Sequence, residues 1–222
     1  MKIPNGIQEI CQVLFSFPRW STGTKIEKRG GLIMPQPEKK RITSEEYFRM
    51  EESADFKSEY YHGEIFAMTG ASFNHNVIAM NVASRLHESF HDSNCFVLAG
   101  DMRIQADKSK HYTYPDLSVV CGDIEFVDGR DDTIANPIVI FEILSDSTKD
   151  YDRGSKFTAY RNIHSLKDYI LINQYAYHIE YFFKNEAGRW SLDDFKRLDD
   201  TFRINSIDIE LPLNTIYYRV KL

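Results

Sequence analysis

One apolar run constrains the fold of this chain more than any other segment. Residues 138–144 are all apolar except Glu142. A continuous apolar run of this length is typical of a strand that is covered on both faces of a sheet. The surrounding segments carry helix and strand patterns without an internal repeat. We therefore predict an α/β (α+β) fold with a mixed central β-sheet and few helices.

Local signals place the main elements of this fold. Thr43 and Glu46 have the spacing of a capping box, which predicts the start of a helix. His62 and Gly63 separate two β-prone runs and therefore predict a hairpin. We further expect a helix over residues 73–90, a long strand over 112–121, a loop over 122–136, a helix over 151–162, and a strand with a short closing helix at the end of the chain.

The first 42 residues differ in composition from the rest of the chain. They are rich in turn-forming and basic residues and show no sustained periodicity. We interpret residues 1–42 as a flexible basic N-terminal arm and residues 43–222 as one domain. A solvated tail is the simpler interpretation of the arm, and contact with a nucleic-acid backbone is the alternative.

Charge and cysteine usage narrow the class of protein. The 27 basic and 33 acidic residues give a net charge of −6, which argues against nucleic-acid binding over the whole surface but not against a local basic cleft. Cys11, Cys95 and Cys121 form neither a CxxC motif nor a Cys/His cluster, so we expect reduced thiols in a cytoplasmic protein. No apolar run of about 18 residues and no signal peptide is present, so we expect no membrane partner.

Two acidic residues stand where strands are predicted. Glu142 lies inside the apolar run, and Asp116 lies between two β-prone stretches beside Pro115. Burying a bare carboxylate costs several kcal/mol, roughly, unless it faces a polar cleft or pairs with a cation. Two carboxylates on neighbouring strands can bind a divalent cation such as Mg²⁺, with waters and a substrate phosphate completing the coordination. The alternative is that each acid forms a salt bridge at the end of a sheet.

Two further residues fit the same site. Glu64 begins a predicted strand after the turn at His62, and Lys156 lies on the helix that follows Glu142. A lysine on that helix could reach the cleft and orient a water or neutralise negative charge in the transition state. An ordinary acid beside a turn and an ordinary surface lysine are the alternatives.

Other candidate residues carry less weight. His75 follows a Gly-Ala-Ser turn and could contact a phosphate or order the site, while Tyr160 and Arg161 could line the cleft. His87 and His91 have i, i+4 spacing without the HExxH motif of a zinc protease. The serines lack a G-x-S-x-G context, and neither a P-loop nor a dinucleotide fingerprint is present, so we expect no organic cofactor.

Six separated motifs together resemble the Uma-two family of restriction-endonuclease-like proteins. They occur in order as Tyr-His-Gly-Glu-Ile at 61–65, Met-Thr-Gly-Ala-Ser at 68–72 with His75, Tyr-Pro-Asp-Leu-Ser-Val-Val at 114–120, Phe-Glu-Ile-Leu-Ser-Asp-Ser-Thr at 141–148, Asp-Arg-Gly-Ser-Lys-Phe at 152–157 with Tyr160 and Arg161, and Leu-Lys-Asp-Tyr-Ile-Leu at 166–171. The resemblance extends from about residue 43 to residue 190. Relatives begin shortly before Thr43, which makes Met34 a candidate natural start.

The resemblance implies membership of the PD-(D/E)XK nuclease superfamily. It implies a restriction-endonuclease-like mixed central β-sheet flanked by helices, and hydrolysis of DNA phosphodiester bonds with Mg²⁺ or Mn²⁺. Carried over by position, Asp116 and Glu142 are expected metal ligands and Glu64 the outer acid. Leu144 occupies the place of the superfamily lysine, and Lys156 is expected to replace it.

Two functions from different classes follow from this comparison. The first is a metal-dependent endonuclease, with a homodimer as the expected assembly because two sites can then cut both strands. The second is a catalytically inactive module on the same fold that binds nucleic acid or protein. The complete set of Glu64, Asp116, Glu142 and Lys156 favours the enzyme, whereas the net charge of −6 and the missing lysine at position 144 favour the inactive module.

Overall fold

A computed structural model describes residues 41–108 and 110–222 and shows a mixed α/β architecture. The described helices are α1 (Ser44–Ser53), α2 (Phe73–Ser89), α3 (Lys149–Tyr151), a π-helical turn (Asp152–Lys156), α4 (Phe157–Tyr160) and α5 (Leu213–Ile216). The described strands are β1 (Ser58–Tyr61), β2 (Glu64–Ala67), β3 (Cys95–Ala99), β4 (Arg103–Asp107), β5 (His111–Thr113), β6 (Leu117–Cys121), β7 (Thr133–Ile134), β8 (Val139–Leu144), β9 (Asp168–Asn173), β10 (Ile179–Lys184), β11 (Trp190–Phe195), β12 (Thr201–Ile204) and β13 (Ile209–Pro212).

The strands form two larger sheets and one hairpin. The first sheet has the order β2-β1-β5-β4-β7, and the second has the order β11-β10-β9-β8-β6-β3. In the second sheet β8 and β9 are parallel while the other neighbours are antiparallel, which confirms the predicted mixed sheet. The apolar run with Glu142 is strand β8, which is fully buried and is the fourth of the six strands in the second sheet.

Both faces of the second sheet are covered. Val139, Phe141 and Ile143 of β8 pack in a core with α2, the β12–β13 hairpin and α5. The other face of β8 packs against the helical segment that runs from α3 to α4, with Phe157 and Tyr160 as its main contacts. This double coverage explains why the strand is a continuous apolar run rather than an alternating one.

Two local predictions are confirmed at the start of the domain. The Thr43 hydroxyl accepts a hydrogen bond from the backbone N–H of Glu46, whose carboxylate accepts one from the N–H of Thr43. The hairpin turn between β1 and β2 has positive φ angles at His62 (48°) and Gly63 (90°). Positive φ at both central residues is the signature of a two-residue hairpin turn whose twist matches that of the flanking strands.

The long strand predicted over residues 112–121 is wrong, because the chain changes sheets within it. β5 belongs to the first sheet and β6 to the second, and Tyr114, Pro115 and Asp116 connect them. Pro115 has no N–H to donate to a sheet, which favours a break at this position. The loop predicted over residues 122–136 contains the short strand β7, which pairs with β4.

The cysteine prediction is also wrong for two of the three residues. A disulfide joins Cys95 on β3 to Cys121 on β6, and these two residues stand directly opposite each other in the antiparallel register. Their separation of 26 residues in the chain concealed this proximity, which only strand pairing creates. Cys11 lies outside the described residues.

The predicted N-terminal arm, residues 1–42, also lies outside the described residues except for Arg41 and Ile42, as does Met34. The N–H of Ile42 donates to the carbonyl of Gly63, so this residue already packs on the hairpin. Along residues 41–108 and 110–222, no helix combines the length and apolar character needed to cross a membrane.

Candidate active site

Glu142 lies on the face of β8 that the α3–α4 segment covers. Side chains alternate along a strand, so Glu142 shares this face with Ile140 and Leu144. Only 4% of Glu142 is exposed, and its carboxylate is therefore removed from bulk water. A charge in such a position requires a partner.

Lys156 supplies that partner from the π-helical turn. Its Nζ lies 2.9 Å from Oε1 of Glu142, 3.0 Å from Oε1 of Glu59 and 3.6 Å from Oδ1 of Asp152. All four side chains are nearly inaccessible to solvent. A π-turn inserts one residue into the helical repeat and is frequent at functional sites, because it redirects the side chains of the turn.

The four buried groups are electrostatically unbalanced, since one ammonium faces three carboxylates. Burial alone would lower the pKa of Lys156, but the carboxylates of Glu142 and Glu59 raise it well above its usual value. Burial raises the pKa of Glu142, and Lys156 opposes that rise only in part. Lys156 therefore stays protonated, and the raised pKa of Glu142 means that this carboxyl favours a proton, or another cation in its place.

Asp116 stands beside Glu142 at the open side of this cluster. Asp116 directly precedes Leu117, which pairs with Phe141 in the antiparallel register. Asp116 is therefore opposite Glu142, at the end of the β6–β8 ladder. Its Oδ2 accepts a hydrogen bond of 2.6 Å from the N–H of Ile143. The Asp116 carboxylate also raises the pKa of Glu142, which shows that the two charges interact.

His75 fixes the second oxygen of Asp116. Its Nε2 lies 3.0 Å from Oδ1 of Asp116, and the two side chains are 17% and 21% exposed. His75 is held at the start of α2, where the Ser72 hydroxyl caps the helix by accepting from the N–H of His75. The Asp116–His75 pair is thus the more accessible part of the site.

Tyr160 belongs to the site, and Arg161 does not touch it. The Tyr160 hydroxyl donates to Oε1 of Glu142 at 3.1 Å and shares a 2.6 Å hydrogen bond with Thr113 of β5. Arg161, one residue further on, lies over the Phe157 ring and donates to Thr158. Among the described residues, Arg161 therefore contacts none of the carboxylates of the cluster.

Glu64 and Glu59 occupy the same face of the first sheet. Glu64 stands opposite Tyr61 in the β1–β2 hairpin, and Tyr61 shares its face of β1 with Glu59. Glu64 is consequently one strand further than Glu59 from β5 and from Lys156. The ion pair with Lys156 makes Glu59 a member of the buried cluster. The role of Glu64 as the outer acid stays a prediction.

Comparison with known sequence families gives a match that spans most of the chain. The sequence profile of Uma2, described as "Putative restriction endonuclease", matches residues 44–214. The chain belongs to the Uma2 family. The match includes every predicted site residue and excludes the N-terminal arm.

Two relatives of this Uma2 protein come from Synechocystis sp. (strain ATCC 27184 / PCC 6803 / Kazusa). The uncharacterized protein sll1609 is 36% identical over 155 residues, which cover 70% of this chain and 88% of the relative. The uncharacterized protein slr1290 is 33% identical over 181 residues, which cover 80% and 92%.

A solved structure shares the fold of this Uma2 chain. It is the crystal structure of "a putative nuclease belonging to DUF820" from Anabaena variabilis ATCC 29413. The match has a TM-score of 0.65 at 18% identity and covers 79% of this chain and 97% of the other. The predicted family and fold class are therefore confirmed.

The donor atoms of the Uma2 site fit a magnesium-type cation rather than a cage built by protein alone. Within residues 41–108 and 110–222, no group of three or more His, Cys, Asp or Glu side chains is arranged to hold a metal ion. Asp116 and Glu142 nevertheless place two hard-oxygen donors opposite each other at the end of the β6–β8 ladder. Mg²⁺ is commonly held by one or two carboxylates, with waters and substrate phosphates as the other ligands.

Sequence reasoning missed Glu59, Asp152, Tyr151 and His111. Glu59 lies in the strand Ser-Glu-Tyr-Tyr, where an acid among aromatic residues is the same signal that marked Glu142. Asp152 precedes Lys156 by four residues on one helical segment. No sequence signal indicated Tyr151 or His111, because their contact depends on the approach of the first sheet to the helical segment.

His111 behind this cluster should make stability depend on pH. It is fully buried, its Nε2 lies 3.1 Å from the Tyr151 hydroxyl, and its Nδ1 has no hydrogen-bond partner in the described part of the chain. Burial lowers the His111 pKa from 6.5 to about 4, which Glu59 nearby only partly opposes. The folded state therefore favours neutral histidine.

The expected result is a loss of up to about 3 kcal/mol in the free energy of unfolding as the pH falls from about 6.5 to about 4. The stability that neutral His111 allows is complete above the pKa of this histidine in the unfolded state. It is lost as the pH falls through the pKa of His111 in the folded state. Urea unfolding at closely spaced pH values measures it, with His111→Gln beside the wild type. An equally steep acid loss in the variant would contradict the assignment to His111.

Proposed function

We propose that this protein is a metal-dependent endonuclease that hydrolyses phosphodiester bonds in DNA. The observation that carries the proposal is the buried Lys156, held between Glu142 and Glu59 beside Asp116. Membership of a family described as "Putative restriction endonuclease" supports the choice of reaction. A fixed cation beside acidic metal donors is the arrangement that phosphoryl transfer requires, because catalysis there depends on positioning and charge stabilisation.

Asp116 and Glu142 would hold Mg²⁺ or Mn²⁺, with Glu64 as an outer acid that assists the metal or a water. When bound, the cation would polarise a phosphate oxygen and lower the pKa of a coordinated water. Glu59 and Asp152 hold the Lys156 ammonium charged and in a fixed position. That ammonium would orient the attacking water or stabilise the negative charge that develops on the phosphate.

Tyr160 and His75 would keep the two metal-binding carboxylates in position. Tyr160 donates to Glu142, while His75 contacts one oxygen of Asp116 and the N–H of Ile143 donates to the other. Partners of this kind hold ligating groups in their binding orientation. The substrate phosphate would enter beside His75, where the site is most exposed.

The assembly and location remain part of the proposal. We expect a homodimer, because two sites related by a two-fold axis can cut both strands of a duplex. We also expect a cytoplasmic location, where glutathione and thioredoxin would expose the Cys95–Cys121 disulfide to reduction.

Plasmid cleavage tests the proposed activity. Wild-type protein with Mg²⁺ or Mn²⁺ should nick supercoiled DNA, and Glu142→Gln should lose the activity while its circular dichroism spectrum stays unchanged. Equal activity in both proteins would assign the nicking to a contaminant. Absence of both nicking and metal-induced thermal stabilisation would favour the inactive binding module.

A further inference from the structure

A basic surface lies on the second sheet beside the helical segment that carries Lys156. It consists of Phe157, Arg161, Lys167, Lys184 and Trp190. The Arg161 guanidinium lies 5.2 Å from the centre of the Phe157 ring, which is 5.2 Å from the Trp190 ring. Lys184 Nζ lies 5.3 Å from the Trp190 ring, so cations and aromatic rings alternate in one row.

Lys167 extends the row beside Lys184. The N–H of Lys184 donates to the carbonyl of Lys167 at 2.8 Å, and Trp190 is the register partner of Lys184. Arg161 and Lys167 are exposed, and Lys184 is half-buried. The basic surface is thus open to a large partner.

These three cations have no ion-pair partner among residues 41–108 and 110–222, although Arg153 on the same helical segment pairs with Glu180. Asp168, next to Lys167, is buried, and its carboxylate accepts from Tyr181 and Ser206. Burial raises the pKa of Asp168, and the Lys167 charge only partly opposes that rise.

Glu186 lies in the β10–β11 turn, and Glu180 of β10 is paired with Arg153. The three cations therefore lie without an ion pair in the described part of a chain of net charge −6. Lys184 and Lys167 also repel each other. Burial and the neighbouring Lys167 charge both lower the pKa of Lys184. An anion between the two ammonium groups would remove this repulsion.

We infer that the basic surface binds the sugar–phosphate backbone of DNA. The inference rests on the proposed nuclease function for the choice of DNA, since charge alone would accept another polyanion. Lysine and arginine side chains neutralise successive phosphates, and the half-buried Trp190 offers a ring for stacking where the duplex opens. Phe157 directly follows Lys156, so the helical segment that carries this surface also carries a residue of the candidate active site.

DNA binding without metal separates this inference from the nuclease proposal. Full-length wild type, Arg161→Gln/Lys167→Gln and Lys196→Gln/Arg197→Gln are titrated onto a fluorescent duplex in EDTA over a series of salt concentrations. The control variant also removes one lysine and one arginine charge. Its two residues, however, already pair with Asp194 and Asp199.

The surface variant should bind about 60-fold more weakly than wild type at 0.1 M salt, since each lost phosphate contact lowers the slope of log K against log salt by about 0.9. The control should bind within about threefold of wild type, because no phosphate contact is lost. Binding in EDTA without cleavage in Mg²⁺ would retain this inference and reject the nuclease.

Equal weakening of both variants would overturn the inference, as would failure of the wild type to bind the duplex. Displacement of DNA by polyglutamate at equal charge concentration would assign the surface to acidic proteins instead and would also overturn it.

Discussion

Replacing Lys156 with methionine should lower the free energy of unfolding by about 3–5 kcal/mol at pH 8, because the change leaves buried carboxylates without a counter-charge. Glu59 and Glu142 would lose ion pairs of 3.0 and 2.9 Å. Methionine fills a volume close to that of lysine, so loss of charge rather than of packing dominates. Urea unfolding of Lys156→Met beside the wild type measures the effect.

Lys149→Met is the matched control for this experiment. Lys149 begins the same helical segment and pairs with Asp146, but its side chain is 45% exposed. Its replacement should change stability by less than about 1 kcal/mol.

The pH dependence gives a second measurement of the same effect. A buried carboxyl without a counter-charge has a raised pKa in the folded state. The folded protein is therefore favoured below the pKa that this carboxyl has in the unfolded state, and it is disfavoured as the pH rises. The deficit of Lys156→Met should therefore be larger at pH 8 than at pH 5. A deficit under about 1 kcal/mol at pH 8 would show that the carboxylates do not depend on Lys156.

Replacing Asp116 with asparagine should reduce metal-dependent nicking by about 10²- to 10⁴-fold, which corresponds to about 3–5 kcal/mol of lost transition-state stabilisation. Asparagine retains an oxygen that can accept from the N–H of Ile143. Asp116 is also partly exposed, so stability should change by less than about 1 kcal/mol. Loss of activity with an unchanged fold would therefore report on the negative charge itself.

Asp101→Asn provides the matched control. Asp101 also lies in a connection between two strands, but it is exposed and pairs with Lys57. Mn²⁺ should raise the melting temperature of the wild type and of Asp101→Asn, but not of Asp116→Asn. Nicking by Asp116→Asn at the wild-type rate would remove Asp116 from the proposed site.

Local sequence signals predicted the elements whose stability is itself local. The capping box of Thr43, the turn at His62 and the buried strand around Glu142 are all present. The prediction for residues 112–121 was wrong because β propensity does not report which sheet a residue joins. Pro115 was the only local sign of the change between sheets.

The candidate site was predictable where a residue contradicted its surroundings. Glu142 and Asp116 were identified because an acid inside a β-prone run requires a partner. Glu59 carried the same signal, but the alternation of its strand concealed it. Its pairing with Lys156 depends on a strand of the first sheet reaching a helical segment packed on the second.

The sequence by itself determined the family, the mixed α/β class and the position of a doubly buried strand that contains an acid. These follow from side-chain periodicity, turn chemistry and motif order, which act over a few neighbouring residues. Only the tertiary structure decided that Glu59 joins Lys156, that Cys95 faces Cys121 and that three cations form one surface. Each of these depends on packing between segments distant in the chain, where burial changes the energy of a charge and strand register determines which side chains meet.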